Sequence, residues 1–117
     1  MSDYKNLSVW TKAHELVLAV YKVTYDFPKD EIYGLTSQVR RAAVSIPANI
    51  AEGSGRGGDR EFAQFLRISR GSATELEYHL RLAHDLGFLE ASLYHQLNHD
   101  VTEIQRMISG LIQHLKS

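Results

Sequence analysis

Apolar residues recur along this chain at gaps of three and four rather than two, the pattern of helices with one buried face. From Ser8 to Phe27 the positions Trp10, Ala13, Val17, Val20, Thr24 and Phe27 alternate in this way. Pro28 predicts the end of that helix, because its ring disfavours a helical residue before it. A second helix is predicted from near Gly34, with Leu35, Val39, Ala42, Ile46 and Asn49 on its buried seam. A third is opened by Gly57, Gly58 and Asp59 and carries Phe62, Phe65, Ser69, Ser72, Leu76, His79, Ala83 and Leu86. Asp59 is expected to cap it, since a carboxylate there accepts from free amides and suits the positive end of the helix dipole. Gly87 closes it. The fourth, from about Glu90 to Lys116, places Tyr94, Leu97, Val101, Ile104, Ile108, Leu111 and Leu115 on one seam. Four helices with short connections predict an all-α fold, an antiparallel up-down-up-down four-helix bundle, with residues 1–117 forming one domain.

Pro47 falls inside the second helix. An interior proline removes one hydrogen bond and costs about 3 kcal/mol, so one reading divides the segment at Ile46. The seam nevertheless keeps its register from Ile46 to Ile50, which favours one kinked helix running to about Glu52. In that register Asn49 enters the seam, while Gln38, Ser45 and Glu52, spaced by seven, border it. Ser69, Ser72 and Glu75 lie on or beside the seam of the third helix. Groups so placed are expected to be partly out of water and to need partners, because an unpaired buried amide costs roughly 1–3 kcal/mol. They form either a polar layer that fixes helix register or a docking and assembly site.

Composition narrows the field. The chain is 44% hydrophobic and 23% charged with a net charge of -1, so nothing draws the whole molecule to nucleic acid or an anionic membrane. Any such binding must rest on a local patch. There is no cysteine, which excludes disulfides, thiolate metal sites and cysteine nucleophiles. No apolar run approaches the roughly 20 residues of a membrane span, and the first residues lack a leader pattern, so a cytoplasmic protein without membrane contact is expected.

The stretch GSGRGG from Gly53 to Gly58 invites a phosphate-loop reading, but it lacks the lysine of such a loop, joins two helices and precedes Asp59, which would repel an anion. A turn is expected. There are six histidines but no Glu-x-x-His, the motif from which di-iron bundles are built. His95, His99 and Glu103 share a face that the fourth seam turns outward. His79, on the third seam, reads as a hydrogen-bonded core histidine. No metal or other cofactor and no catalytic triad is expected. More suggestive is an arginine stripe on the third helix. Arg60, Arg67 and Arg81 recur at multiples of seven, with Arg70 nearby and Arg56 in the preceding turn. Guanidinium groups suit phosphate recognition, although Glu77 is placed to neutralise Arg81. The first helix also carries apolar surface beyond its seam, at Val9, Leu16, Val23, Leu18, Tyr21 and Tyr25, which predicts a subunit interface.

Three blocks, LSVWTKAHELVLAVYKVT, YGLTSQVRRAAVSIPANIAEGSGR and EFAQFLRISRGSATELE, together resemble the four-helix bundle proteins encoded in intervening sequences of bacterial 23S ribosomal RNA genes. Gly58 stands where that family often has a serine, which with Glu61 would make a capping box. The resemblance implies a ring-shaped homopentamer. It also implies similarity to the accessory proteins of diversity-generating retroelements, which bind a reverse transcriptase and nucleic acid. Residues and resemblance together lead to the expectation of a non-enzymatic homo-oligomeric scaffold that binds RNA, DNA or a nucleic-acid enzyme through Arg56, Arg60, Arg67 and Arg70. The alternatives are a protein-interaction module that uses the polar line on the second helix and, less supported by the residues, a metal-binding or enzymatic bundle.

Overall fold

The structure, a computed structural model, describes residues 3–116. A 3-10 turn at Tyr4–Asn6 precedes α1 (Ser8–Thr24), and a second at Lys29–Glu31 precedes α2 (Leu35–Ser54); α3 (Asp59–Asp85) and α4 (Ala91–Lys116) complete the chain. The first helix stops three residues short of the predicted end. The Thr24 hydroxyl donates back to the Val20 carbonyl at 2.7 Å, and Phe27 leaves the helix to lie buried against Phe88, with ring centroids 5.9 Å apart. Pro28 denies Phe27 a helical backbone, so the apolar periodicity outlasts the helix itself.

Helix α2 runs unbroken through Pro47, as the seam register requires. In the turn that follows, Gly57 takes φ 92°, a left-handed conformation that glycine adopts without strain. The N-cap of α3 is Gly58, and no side chain caps the helix. Asp59 is therefore the first helical residue rather than the cap, and with Glu61 it acts on the helix dipole. At the other end of α3, Gly87 has φ 84° while its N–H donates to the His84 carbonyl and that of Phe88 to the Ala83 carbonyl, the two bonds of a Schellman ending.

Contacts between helices fix the directions. Ser45 meets Ser72 and Ile46 meets Ser69, so α2 and α3 are antiparallel; Arg70 reaches Ser109, and Gln105 reaches both Thr74 and Glu77, so α3 and α4 are too. Arg40 bonds Thr24 across α1 and α2, and Lys12 pairs with Glu103 across α1 and α4. The result is an up-down-up-down bundle measuring 44 × 23 × 20 Å. Its axis is filled by fully enclosed side chains from every helix, including Val20, Ile46, Ile50, Phe62, Leu66, Leu76, Leu80, Ile104 and Ile108. Each such aliphatic side chain contributes about 1.5–3 kcal/mol relative to exposure.

The core departs from the predicted seams in a few places. Leu86 is 53% exposed, because α3 ends just before it; α3 buries a wider stripe than its seam, adding Ala63, Leu66, Ala73 and Leu80, and Ala43 in α2, Leu89 in the following loop and Ile112 in α4 are buried as well. Val9 and Leu16 belong to the core and Val23 packs against it. The apolar excess on α1 thus reduces to Leu18, Tyr21 and Tyr25, all exposed.

A candidate nucleic-acid interface

Residues 60, 64 and 67 fall on one side of α3, being spaced by four and three. Antiparallel packing brings the last turn of α4 alongside the first turns of α3. Arg60, Gln64 and Arg67 thereby meet Leu115 and Lys116 around an open cleft of about 540 Å3, whose wall also includes Asp59 and Ala63. Among the described residues Arg60, Arg67 and Lys116 make no ion pair, so three cations face water together with one carboxylate. Arg70 stands farther along the helix, where its Nη1 donates to the Ser109 hydroxyl at 3.1 Å and keeps its remaining donors free for another partner.

The other arginines of the stripe are engaged elsewhere. Arg56 pairs with Glu52 at 2.6 Å and lies over the Phe65 ring at 4.9 Å, on the α2 side of α3. The hydrogen bond to Glu52 raises its pKa above the usual arginine value. Arg56 is thus, contrary to expectation, not among the residues that line the cleft with Arg60 and Arg67. Arg81 pairs with Asp85 at 3.3 Å and not with Glu77, whose carboxylate accepts from Gln105 at 3.4 Å.

The polar residues on α2 and the facing side of α3 resolve into a small network and three solvated residues. Asn49 donates to the carbonyl of Ser45 at 2.8 Å and to its hydroxyl at 2.9 Å, and the Ser72 hydroxyl donates to Ser45 across the helix pair at 2.9 Å. Asn49 and Ser45 are half-buried and find their partners as the register requires. Gln38, Glu52 and Glu75 are exposed, contrary to expectation: their longer side chains leave the seam for water. His79 is buried as expected, but its Nδ1 has no hydrogen-bond partner and its Nε2 is 3.9 Å from Glu75. His95 and His99 are exposed, and Glu103 engages Lys12 at 3.0 Å. Among the described residues no three histidine or carboxylate side chains converge as metal ligands would.

A second surface was only half visible in the sequence. Exposed Tyr21 meets Ile32, Tyr33 and Val44 around a shallow recess, Tyr25 meets Ile32 beside it, and Leu18 is also exposed on α1. Arg40 lies over the Tyr21 ring at 4.5 Å and donates to Thr24 at 2.8 Å, which ties α1 to α2 beneath this face. The adjacent pair Arg40 and Arg41, four and three residues before Val44, was the available signal for the α2 half.

No helix among the described residues is long and apolar enough to cross a membrane. The chain is thus an antiparallel four-helix bundle with a cationic cleft at one end and an aromatic face on α1 and α2. The family model of the 23S rRNA-intervening sequence proteins matches residues 5–110, and the chain belongs to that family. It is similar in structure to a crystallised protein of unknown function from the S23 ribosomal protein family of Bacteroides thetaiotaomicron VPI-5482. That protein is 25% identical, the match covers 90% of this chain and 95% of the other, and the TM-score is 0.82. A comparison with curated proteins finds no match.

Proposed function

We propose that this protein is a non-enzymatic accessory scaffold, assembled as a homo-oligomer and most simply as a pentamer, that binds nucleic acid along the α3 and α4 edge. The observation that carries the reading is the cleft where Arg60, Arg67 and Lys116 stand beside Gln64 without an ion pair among the described residues. On a chain with net charge -1, unpaired cations in one place make a local phosphate site where the whole molecule has no attraction. Arg70 extends the site along the helix pair. Assembly is supported by the exposed aromatic face of Tyr21, Tyr25, Tyr33 and Val44, of a kind that marks protein contact surfaces. In this arrangement the polar network of Ser45, Asn49 and Ser72 holds α2 against α3 and takes no part in binding.

The test is fluorescence anisotropy with a single-stranded RNA oligonucleotide across a salt series, with absolute mass from light scattering. The wild-type protein is expected to bind with affinity that falls as salt rises, by a log–log slope of about -0.7 per neutralised phosphate. Arg60→Ala with Arg67→Ala should weaken binding at least about tenfold and flatten the slope. Undiminished affinity in that variant would remove the cleft from the reading, and a monomeric mass would remove the assembly. Absence of RNA and DNA binding by the wild type would leave the bundle as a protein-interaction module.

A further inference from the structure

The end of the bundle opposite Arg60 and Lys116 carries a groove of different character. There the C-terminal half of α1 and the N-terminal half of α4 stand apart around a space of about 530 Å3. Its floor is apolar, made by Ala19 and Val23 of α1, Phe88 of the α3–α4 loop, and Leu93 and Leu97 of α4. Leu97 is a core residue, but Leu93, one turn before it on the groove side, is 43% exposed.

The rim is acidic. Asp26, Glu90 and Asp100 surround the floor with Lys22 as the one cation among its lining residues. Among the described residues none of the three carboxylates makes an ion pair. Asp100 accepts only from the Gln96 amide at 3.3 Å, and Glu90 uses one oxygen to accept the Leu93 N–H at 3.0 Å. An apolar floor ringed by unpaired carboxylates repels nucleic acid and suits a partner that is apolar on one side and cationic on its edges.

We infer that this groove docks a basic amphipathic segment of a partner protein. The apolar residues of that segment, spaced as on one helix face, lie against Val23, Phe88 and Leu93; its lysines and arginines face Asp26, Glu90 and Asp100. Burial of the apolar face supplies the affinity, and the carboxylates set orientation and exclude acidic competitors. Because the groove and the arginine cleft lie at opposite ends of α3 and α4, a docked partner leaves the cleft open. Docking in the groove does not depend on whether the cleft binds nucleic acid.

The test uses the full chain with methyl-labelled leucine and valine, titrated with a synthetic leucine/lysine amphipathic peptide and with its leucine/glutamate counterpart. The leucine/lysine peptide is expected to shift Val23, Leu93 and Leu97 signals saturably, and the leucine/glutamate peptide to leave them in place. Leu93→Lys should weaken the interaction at least about tenfold, as loss of a central anchor does. Helical circular dichroism and mass check its fold, and Asp26→Asn with Asp100→Asn provides a second variant of native volume in case Leu93→Lys perturbs assembly. Equal shifts with both peptides, shifts confined to other surfaces, or undiminished affinity in both variants would overturn the inference. Groove signals that change on dilution without any peptide would also overturn it, by placing a second copy of this chain in the groove.

Discussion

The Ser69 hydroxyl of α3 donates to the carbonyl of Ile46 at 2.9 Å, at the residue immediately before Pro47. The missing N–H of Pro47 deprives the Ala43 carbonyl, four residues back, whereas the Ile46 carbonyl has its helical donor position at residue 50, so the Ser69 bond adds a tie from α3 to α2 beside the proline. Both residues are fully enclosed, so the bond forms away from competing water. Ser69→Ala keeps the volume nearly constant and removes only the hydroxyl. It is expected to lower the unfolding free energy by about 1 kcal/mol, read as a lower urea midpoint at unchanged m-value. A midpoint equal to that of the wild type would mean that Ile46 needs no partner beyond its own helix.

Gly53 is required by the approach of α2 to α3. A methyl group there would stand 2.6 Å from Cβ of Phe65 and 3.1 Å from Cδ1 of Phe62. The first of these atoms is fixed to the α3 backbone and cannot swing away. Gly53→Ala is therefore expected to cost about 1–3 kcal/mol through overpacking, despite the gain in helix propensity. Gly71 and Gly110 also lie inside helices, and a methyl group added at either would meet nothing within 4 Å. Alanine at either should instead stabilise by up to about 1 kcal/mol. Thermal unfolding should move the midpoint down for the first variant and up for the other two.

The fold was legible because a strict alternation of threes and fours survives even Pro47, and only a continuous helix keeps Ile46 and Ile50 on one side. The errors lie where periodicity stops carrying information. Phe27 and Leu86 continue their seams numerically, but a proline and a glycine ending detach the one into a turn and expose the other. Asp59 and Gly58 are adjacent candidates for one cap, and spacing does not choose between them. In the candidate site, the side shared by Arg60 and Arg67 follows from spacing, and Lys116 follows from antiparallel topology. The partners do not: Arg81 has a carboxylate four residues on either side, and the choice of Asp85 accompanies the engagement of Glu77 by Gln105 from α4. Glu52 likewise stood four residues before Arg56, but a place beside the seam suggested burial for a side chain long enough to reach water.

Lys12 and Glu103 join α1 to α4 at 3.0 Å and shift each other in opposite directions. The hydrogen bond from Lys12 lowers the pKa of Glu103, and the same bond, followed in order by an opposing desolvation, raises that of Lys12. A depressed carboxylate contributes stability above its unfolded pKa and loses it as pH falls through the folded value. A raised lysine contributes below its unfolded pKa and loses it as pH rises through the folded value. The pair is thus intact across neutral pH. Lys12→Met should lower the melting temperature modestly at pH 7 and low salt, with the difference from wild type vanishing both as pH falls through and below the depressed range of Glu103 and in high salt. A difference independent of pH and salt would assign the effect to packing of the lysine stem.

Arg56 and the Arg60/Arg67 pair separate two explanations of any nucleic-acid affinity. If net positive charge around the start of α3 alone mattered, each arginine would contribute equally. The geometry makes them unequal, because Arg56 already holds Glu52 at 2.6 Å while Arg60 and Arg67 face the open cleft. Arg56→Ala releases the Glu52 carboxylate on the α2 side and should leave the slope of log affinity against log salt unchanged. Arg60→Ala should reduce that slope by about one phosphate contact, and Arg67→Ala likewise. Lys116→Ala should act in the same direction with a smaller loss, since a single ammonium offers a point charge where guanidinium offers a planar fork. Parallel salt series on the four variants decide the matter. Equal slopes for all four would show that the cleft is not where phosphates sit.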